Sequence, residues 1–422
     1  MKVKFRHRIT AAIVRFLFYI FARFRYGFRS QDFDYSLIKG PYLILSNHAT
    51  DLDALFLALC FREPIYFVAN DHLFRLGFIS KILAWLASPI PILKSGVDIK
   101  TIRDIKSLVA DGGSIGLFPE GNRTFNGSTT FIPPAIGKLA KLLKIPIVIY
   151  NLEGGYLTSP RWGRSDRRGP LAYRFKSIIS YETYKDMSAI EITEIIRRDL
   201  QGEEPVTFAA STPAPEQTAL AQQQTKARYK GKNLAESLER LLYKCPACQA
   251  YETIVTQGRG GSCSNCGLTF NFTDEGYLEG PDLRFERVLD WDLWQRADLI
   301  KNGLPRRGAG QPIFSDQGEV LYEIIRAQAS IKAGEGTLSL FEDRLEFADA
   351  CGLQGQIGLK IFLLSDIMDM VIYSRQNLQF TLTNGKSYVL KNRKPRSAIK
   401  YLYHYYYLRQ IKRGEMNGFL GI

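Results

Sequence analysis

Between Pro41 and about Leu152 the chain alternates short, fully apolar runs with longer segments whose apolar residues recur every three or four positions. YLILS (42–46) precedes a helical pattern near 51–61, and IYFVA (65–69) precedes helical stretches across 71–87. PIPIL (89–93) precedes a helix near 97–110, and SIGLF (114–118) is followed by a loop, a helix near 133–143 and PIVIY (146–150). Short apolar runs between amphipathic helical segments predict an α/β layer built on a largely parallel sheet. LAYRFKSIISYETY (171–184) adds one or two strands, and SAIEITEIIRRDLQ (188–201) is an amphipathic helix that closes the unit.

The pattern then breaks. AASTPAPEQTALAQQQTKA (209–227) is rich in Ala, Gln, Thr and Pro and reads as a linker, and KNLAESLERLLYK (232–244) reads as a short helix. Residues 281–318 show no regular period, with the loop PRRGAGQP at 305–312. From about 319 the runs become strand-like: GTLSLFEDRLEFA (336–348), GLKIFLLSDIMDMVIY (358–373) and NLQFTLTNGKSYVLKN (377–392). The last carries Asn384-Gly385 between alternating residues, a hairpin signal. SAIKYLYHYYYLRQIKR (397–413) then predicts a closing helix, and strands followed by one such helix resemble the pleckstrin-homology or GRAM-like fold.

Composition adds two constraints. The 422 residues are 45% hydrophobic and 23% charged, which excludes wholesale disorder and a polytopic membrane protein. The net charge of +14 is concentrated at two ends. Residues 1–31 carry eight Lys or Arg and no acid, residues 391–413 carry eight more and no acid, and the chain between is close to neutral. Basic ends interleaved with aromatics suit anionic surfaces, either lipid headgroups or nucleic acid. The run ITAAIVRFLFYIFA (9–22) is too short for a span and holds Arg15 in its middle, and no small-residue cleavage site follows it. As a helix it puts Phe5, Ile9, Ile13, Phe16 and Ile20 on one face and Arg8 and Arg15 on another, the pattern of a helix lying in an anionic membrane surface.

Four of the six cysteines form C-P-A-C and C-S-N-C, Cys245/Cys248 and Cys263/Cys266, with fourteen residues between the pairs. Two such knuckles separated by a hairpin suit one tetrahedral, structural Zn2+, and a redox dithiol would need only one of them. ETIVTQ and LTFNF read as short strands, so this module resembles a zinc ribbon. Cys60 and Cys351 read as small buried hydrophobes, and the usage as a whole fits a reducing compartment.

Two stretches carry candidate chemistry. SNHATDLD (46–53) puts His48 at the end of a strand and Asp53 five residues later in the first turns of a helix, so the carboxylate can fold back on one imidazole nitrogen and leave the other as a general base. FPEGNRT (118–124) also follows an apolar strand and opens on the same sheet edge. There Gly121 permits a tight turn, Arg123 offers a forked donor for phosphate, and Glu120 can hold Arg123 or a substrate hydroxyl.

In this order and spacing the two stretches resemble the glycerolipid acyltransferases typified by 1-acylglycerol-3-phosphate acyltransferases. Asn47, His48, Thr50 and Asp53 match the first family motif, Phe118 through Thr124 match the Phe-Pro-Glu-Gly-x-Arg-Ser/Thr motif, and Ile145, Pro146, Ile147 and Val148 match a later apolar-Pro motif. The motif between them usually ends in Arg, where this chain has Lys94 after Pro91-Ile92-Leu93. The resemblance implies an O-acyltransferase in which His48 takes the proton of a glycerol hydroxyl and Asp53 fixes its tautomer. Glu120, Gly121, Arg123, Lys94 and Thr50 would shape the substrate site. It implies acyl-CoA or acyl-carrier protein as co-substrate, lysophosphatidate as acceptor and phosphatidate as product, at the cytoplasmic face of a membrane. Another lysophospholipid or glycerol 3-phosphate is the alternative acceptor. A zinc-ribbon membrane scaffold or nucleic-acid binder with a decayed acyltransferase domain is the rival reading, and the intact motifs oppose it.

The expected organisation is an interfacial membrane helix (1–30), an α/β acyltransferase domain (31–205) and a linker with a short helix (206–243). A zinc ribbon (244–280), an irregular connector (281–318) and a mostly β module closed by a helix (319–413) follow.

Overall fold

Seven strands, β1 (Arg29–Ser30), β2 (Leu43–Ser46), β3 (Ile65–Asn70), β4 (Ile90–Ile92), β5 (Ser114–Leu117), β6 (Ile147–Glu153) and β7 (Ala172–Ile179), form one sheet in the order β1-β7-β6-β2-β5-β3-β4. The computed structural model describes residues 5–70, 88–92, 99–129, 131–201, 227–305, 307–308, 310–325, 330–349 and 358–413. All neighbours in this sheet are parallel except β6 and β7. The twofold alternation of strand side chains divides the core. Leu43, Leu45, Ile115, Ile147 and Ile149 face one layer, while Ile44, Val148, Tyr150 and Tyr173 face the other.

The first layer is made by α3 (Ile99–Ala110), α4 (Ala135–Leu143) and α7 (Ala189–Gln201), through Ile105, Leu108, Ile136, Ala140, Ile192 and Ile196. A Cβ on Gly137 of α4 would lie 1.9 Å from the Ala189 carbonyl, so glycine is what lets α4 and α7 approach. The second layer holds α1 (Phe5–Tyr26) and α2 (Asp53–Ala58), with Ala22, Tyr26, Phe56 and Leu57. One-turn helices α5 (Gly155–Thr158) and α6 (Tyr181–Tyr184) flank β7, so the segment 171–184, expected to add one or two strands, adds one.

Helix α1 docks by an unusual side. His7, Thr10, Ala22 and Tyr26 are buried, whereas Ile13, Phe16 and Phe24 are 55%, 65% and 77% exposed, with Ile9, Leu17 and Ile20 also exposed. Its apolar stripe therefore points away from the protein. Among the described residues no helix is long and apolar enough to cross a membrane.

The second half contains a four-stranded sheet of β8 (Ile254–Gln257), β9 (Gly260–Cys263), β10 (Thr269–Phe272) and β11 (Leu278–Glu279) in the order β11-β10-β9-β8. A helix, α8 (Val288–Asn302), follows it. Then come β12 (Phe314–Ile324), β13 (Ile331–Leu340), β14 (Arg344–Asp349), β15 (Gly358–Leu363), β16 (Ile367–Tyr373), β17 (Asn377–Leu382) and β18 (Ser387–Asn392). They form an antiparallel sheet in the order β15-β14-β13-β12-β18-β17-β16, closed by α9 (Ala398–Arg413), which packs on β16 and α8. Gly385 sits at φ +83 in the β17–β18 turn, as the Asn-Gly signal requires.

Three expectations are corrected here. Residues 232–244 form only a 3-10 turn at Leu238–Arg240. Leu234, Leu238, Leu241 and Leu242 are all fully buried and share the spacing of one helix face, but Ser237 breaks the turn in the left-handed region at φ +75. The connector expected to be irregular holds α8, whose period is hidden because Asp292, Gln295 and Asp298 are buried along with Trp291 and Leu299. The C-terminal bases are not all available to an anionic surface: Arg396 is buried against Glu319, and Lys400 is buried against Glu252 and Asp316. The helical stretches expected across 71–87, the linker proper and Cys351 lie outside the described residues.

The modules are not beads on a string. Trp162, from the segment between β6 and β7, is fully buried in one core with Leu234, Leu238, Phe272, Trp291 and Tyr403.

Candidate active site

Strands β2 and β5 are parallel neighbours, with Leu45 opposite Leu117, so the segments leaving their C-terminal ends must lie side by side. Asn47 fixes the exit of β2, since its Oδ1 accepts from the Leu152 N–H (2.8 Å) and its Nδ2 donates to the Leu152 carbonyl (3.2 Å). The next five residues wrap around Asp53 at the start of α2. The Asp53 Oδ2 lies 2.8 Å from His48 Nδ1 and accepts from Ala49 N–H (2.6 Å). Thr50 N–H reaches both carboxylate oxygens at 3.0 Å, and the Thr50 hydroxyl donates to Oδ1 at 2.5 Å. A fully buried carboxylate needs such donors, and Asp53 has zero exposure. The carboxylate can only accept, so the imidazole carries its proton on Nδ1 and Nε2 keeps a lone pair.

The FPEGNRT segment forms the other wall. Phe118 stacks on the His48 ring (4.5 Å between centroids, 21°), and Phe67 stacks parallel to Phe118 beyond it. Gly121 turns the loop at φ +66, with open space where a side chain would begin. Glu120 Oε1 accepts from the His48 N–H (2.9 Å) and the Thr124 N–H donates to the His48 carbonyl (2.8 Å), so the loop grips the base by its backbone on both sides. Arg123 is 8% exposed; its Nε donates to the Ala49 carbonyl (2.9 Å), one terminal nitrogen donates to the Ser159 carbonyl (2.8 Å), and the other pairs with the exposed Asp51 (2.7 Å).

The family model described as Acyltransferase matches residues 27–150. A 1-acyl-sn-glycerol-3-phosphate acyltransferase of Borreliella burgdorferi is 26% identical over 126 residues, 28% of this chain and 49% of that protein. One of Saccharomyces cerevisiae is 27% identical over 167 residues, 38% of this chain and 55% of that protein. The chain thus spans about half the length of the curated relatives it matches. The crystal structure of the 1-acyl-sn-glycerophosphate acyltransferase of Thermotoga maritima aligns with a TM-score of 0.38 at 15% identity, covering 45% of this chain and 78% of that one.

Residues 27–150 form an acyltransferase-family segment.

Within the acyltransferase segment, several side chains are committed differently from the sequence reading. Thr50, expected at the substrate, spends its hydroxyl on Asp53 and receives the Leu52 N–H (3.1 Å). Glu120 holds the His48 backbone rather than Arg123. Lys94 lies outside the described residues. A residue with no local motif, Arg161, is buried beside Arg123. One of its terminal nitrogens donates to the Arg123 carbonyl (2.9 Å), its Nε donates to the Ser374 carbonyl (2.8 Å), and the other terminal nitrogen donates to the Ile372 carbonyl. Burial, and then the neighbouring Arg123 charge, push its guanidinium down to about 9.

The second candidate site is the cysteine cluster. The Sγ atoms of Cys245, Cys248, Cys263 and Cys266 lie within 4.8 Å of one another, with Cys245–Cys266 at 3.8 Å and Cys248–Cys263 at 3.7 Å. A tetrahedral ion with Zn–S bonds of about 2.3 Å has S···S edges of about 3.8 Å, so the four thiols fit such an ion. Burial works against the Cys263 thiolate, but the Thr253 hydroxyl and the N–H groups of Cys266 and Asn265 bring it down to about 6. Cys60 is buried apart from them, and desolvation pushes its thiol up.

Proposed function

We propose that the protein is a membrane-surface O-acyltransferase that moves a fatty acyl group from acyl-CoA or an acyl-carrier protein to the free hydroxyl of lysophosphatidate. The observation that carries this reading is the buried Asp53 bonded to His48 Nδ1, facing the loop that grips the His48 backbone. In this reading Nε2 of His48 removes the hydroxyl proton as the oxygen attacks the thioester carbonyl. Collapse of the tetrahedral intermediate expels the thiolate, which takes the proton back from the imidazolium, and the products are the ester and the free thiol. Asp53 holds the tautomer and offsets the transient positive charge. No acyl-enzyme is needed.

Arg123 would meet the acceptor phosphate through the edge now paired with exposed Asp51, since its other bonds hold Ala49 and Ser159. Gly121 and Glu120 would form the rim. The exposed apolar stripe of α1 would enter the headgroup region and bring the site to its lipid substrates, with the Lys and Arg of residues 1–31 drawn to anionic headgroups at the cytoplasmic face. The four cysteines would hold one structural Zn2+ outside the chemistry.

The test is full-length protein with labelled acyl-CoA, acyl-carrier protein thioester and a panel of acceptors: lysophosphatidate, other lysophospholipids and glycerol 3-phosphate. Mass-identified phosphatidate as the dominant product supports the reading. Arg123→Lys should raise KM for lysophosphatidate far more than for acyl-CoA. Transfer to no glycerolipid acceptor would refute the assignment.

A further inference from the structure

The loop that grips His48 is itself held from outside the acyltransferase segment. Asn126, two residues past Thr124, is buried; its Oδ1 accepts from Ser128 N–H (3.0 Å) and from the Ser128 hydroxyl (2.8 Å). Its Nδ2 donates to Asp292 Oδ2 of α8 at 2.8 Å, across 166 residues of sequence. Asp292 is fully buried and also accepts from Gln295 Nε2 (2.8 Å) and the Tyr403 hydroxyl of α9 (3.1 Å), and it pairs with Arg296. Burial alone would depress the Arg296 guanidinium, but the Asp292 charge, and then Tyr403, hold it above its usual value. A second grip is independent of the first: Arg161 ties the Arg123 carbonyl to the Ile372 and Ser374 carbonyls at the end of β16.

We propose that Asp292 is a positioning residue for acyl transfer: through Asn126 it sets the Phe118–Asn126 loop, and so the grip of Glu120 and Thr124 on the His48 backbone. The appended half of the chain then completes the active site rather than accompanying it. This rests on the reading of His48 as the base. An unpaired Asn126 frees the loop at one end, and a displacement of about 1 Å at a base can cost on the order of 100-fold in rate.

The experiment uses full-length protein with acyl-CoA and lysophosphatidate, comparing Asp292→Ala, Asn126→Ala and the double variant. Asp298→Asn is the control, because Asp298 lies on the same helix, is nearly as buried and pairs with Lys244 rather than with the loop. Expected are a fall in kcat on the order of 10- to 100-fold for each loop-side variant, KM for acyl-CoA within about threefold of the parent, and a double variant no worse than the poorer single one. Asp298→Asn should lower the thermal midpoint but leave kcat of the folded protein within about twofold of the parent. Parent kcat in Asp292→Ala, multiplicative losses in the double variant, or an equal kcat loss in Asp298→Asn at equal loss of thermal midpoint would overturn the proposal. His48→Ala, assayed beside them, separates the two layers: if it keeps parent turnover, the base reading fails, whatever Asp292 does.

Discussion

Replacing Asp53 with Asn tests the His48–Asp53 pair most sharply, because the structure dictates how the amide must sit. With its NH2 at the Oδ2 position, the amide would point a donor at the Ala49 N–H and at His48 Nδ1, forcing the imidazole proton onto Nε2 and removing the base. With the NH2 at the Oδ1 position, the remaining oxygen still serves Ala49 and His48, and the rotatable Thr50 hydroxyl can turn to accept. The second arrangement wins, so the tautomer survives while the negative charge is lost. A hydrogen bond to a charged group is worth about 1.5–3 kcal/mol, and tenfold in rate is about 1.36 kcal/mol, so kcat should fall by roughly 10- to 150-fold.

His48→Ala deletes the base and should cost about 100- to 10,000-fold, more than Asp53→Asn in the same preparation. Asp53→Ala should behave like His48→Ala in rate and also lose stability, because the buried Ala49 and Thr50 N–H groups lose their acceptor, at about 1–3 kcal/mol for each unsatisfied group. The assay is turnover of labelled acyl-CoA with lysophosphatidate, product identified by mass, alongside urea unfolding of each variant. Near-parent turnover in His48→Ala, or a greater loss in Asp53→Asn than in His48→Ala, refutes the mechanism.

Three further outcomes are expected. Elemental analysis should find about one zinc per chain; stripping it should remove on the order of 10 kcal/mol of folding energy, and because Trp291 and Gln295 of α8 donate to the Lys244 and Leu241 carbonyls, melting of the cysteine-bearing segment and of α8 should coincide. Phe16→Ser with Phe24→Ser should weaken partition onto anionic vesicles by about 100-fold in high salt, at about 1.5 kcal/mol or more per phenyl ring withdrawn from lipid; unchanged high-salt binding removes α1 as the anchor. Burial, assisted by the Lys400 and Lys244 charges, holds His404 down to about 3 from 6.5, so only the unfolded chain takes up its proton between those values. Stability is therefore present above pH 6.5 and falls with acid at about 1.4 kcal/mol per pH unit, and the fall should be shallower in His404→Gln; parallel slopes by pH-dependent urea melts refute the assignment.

The parts legible in the sequence are those whose causes are local. Strands β2, β5 and β6 are apolar in unbroken runs because both their faces are covered, and the helices between them keep a 3.6-residue period because each buries one stripe. Asp53 was readable because it lies only five residues from His48, and the four cysteines because a knuckle fixes their spacing. Helix α8 was not readable. It is covered on more than one side, by the cysteine-bearing segment, α9 and the Phe118–Asn126 loop, and its buried polar residues draw several of their partners from far along the chain.

Charge shows the same limit from another direction. A count of bases without intervening acid treats residues 391–413 like residues 1–31, yet the two ends differ in what the fold brings to them. Glu319 and Asp316 arrive from β12 and Glu252 from the cysteine-bearing segment to meet Arg396 and Lys400, so those charges stabilise the packing of α9 and contribute nothing outward. At the other end, among the described residues, Arg15 donates to the Phe61 carbonyl (2.7 Å) and meets no carboxylate, and the apolar stripe beside it stays largely exposed. A helix that buries His7 and Thr10 while exposing Phe16 and Phe24 reverses the usual order of burial. In water that arrangement costs free energy, which a bilayer surface would return, so the orientation of α1 is a stronger argument for a lipid surface than the charge count that first suggested one.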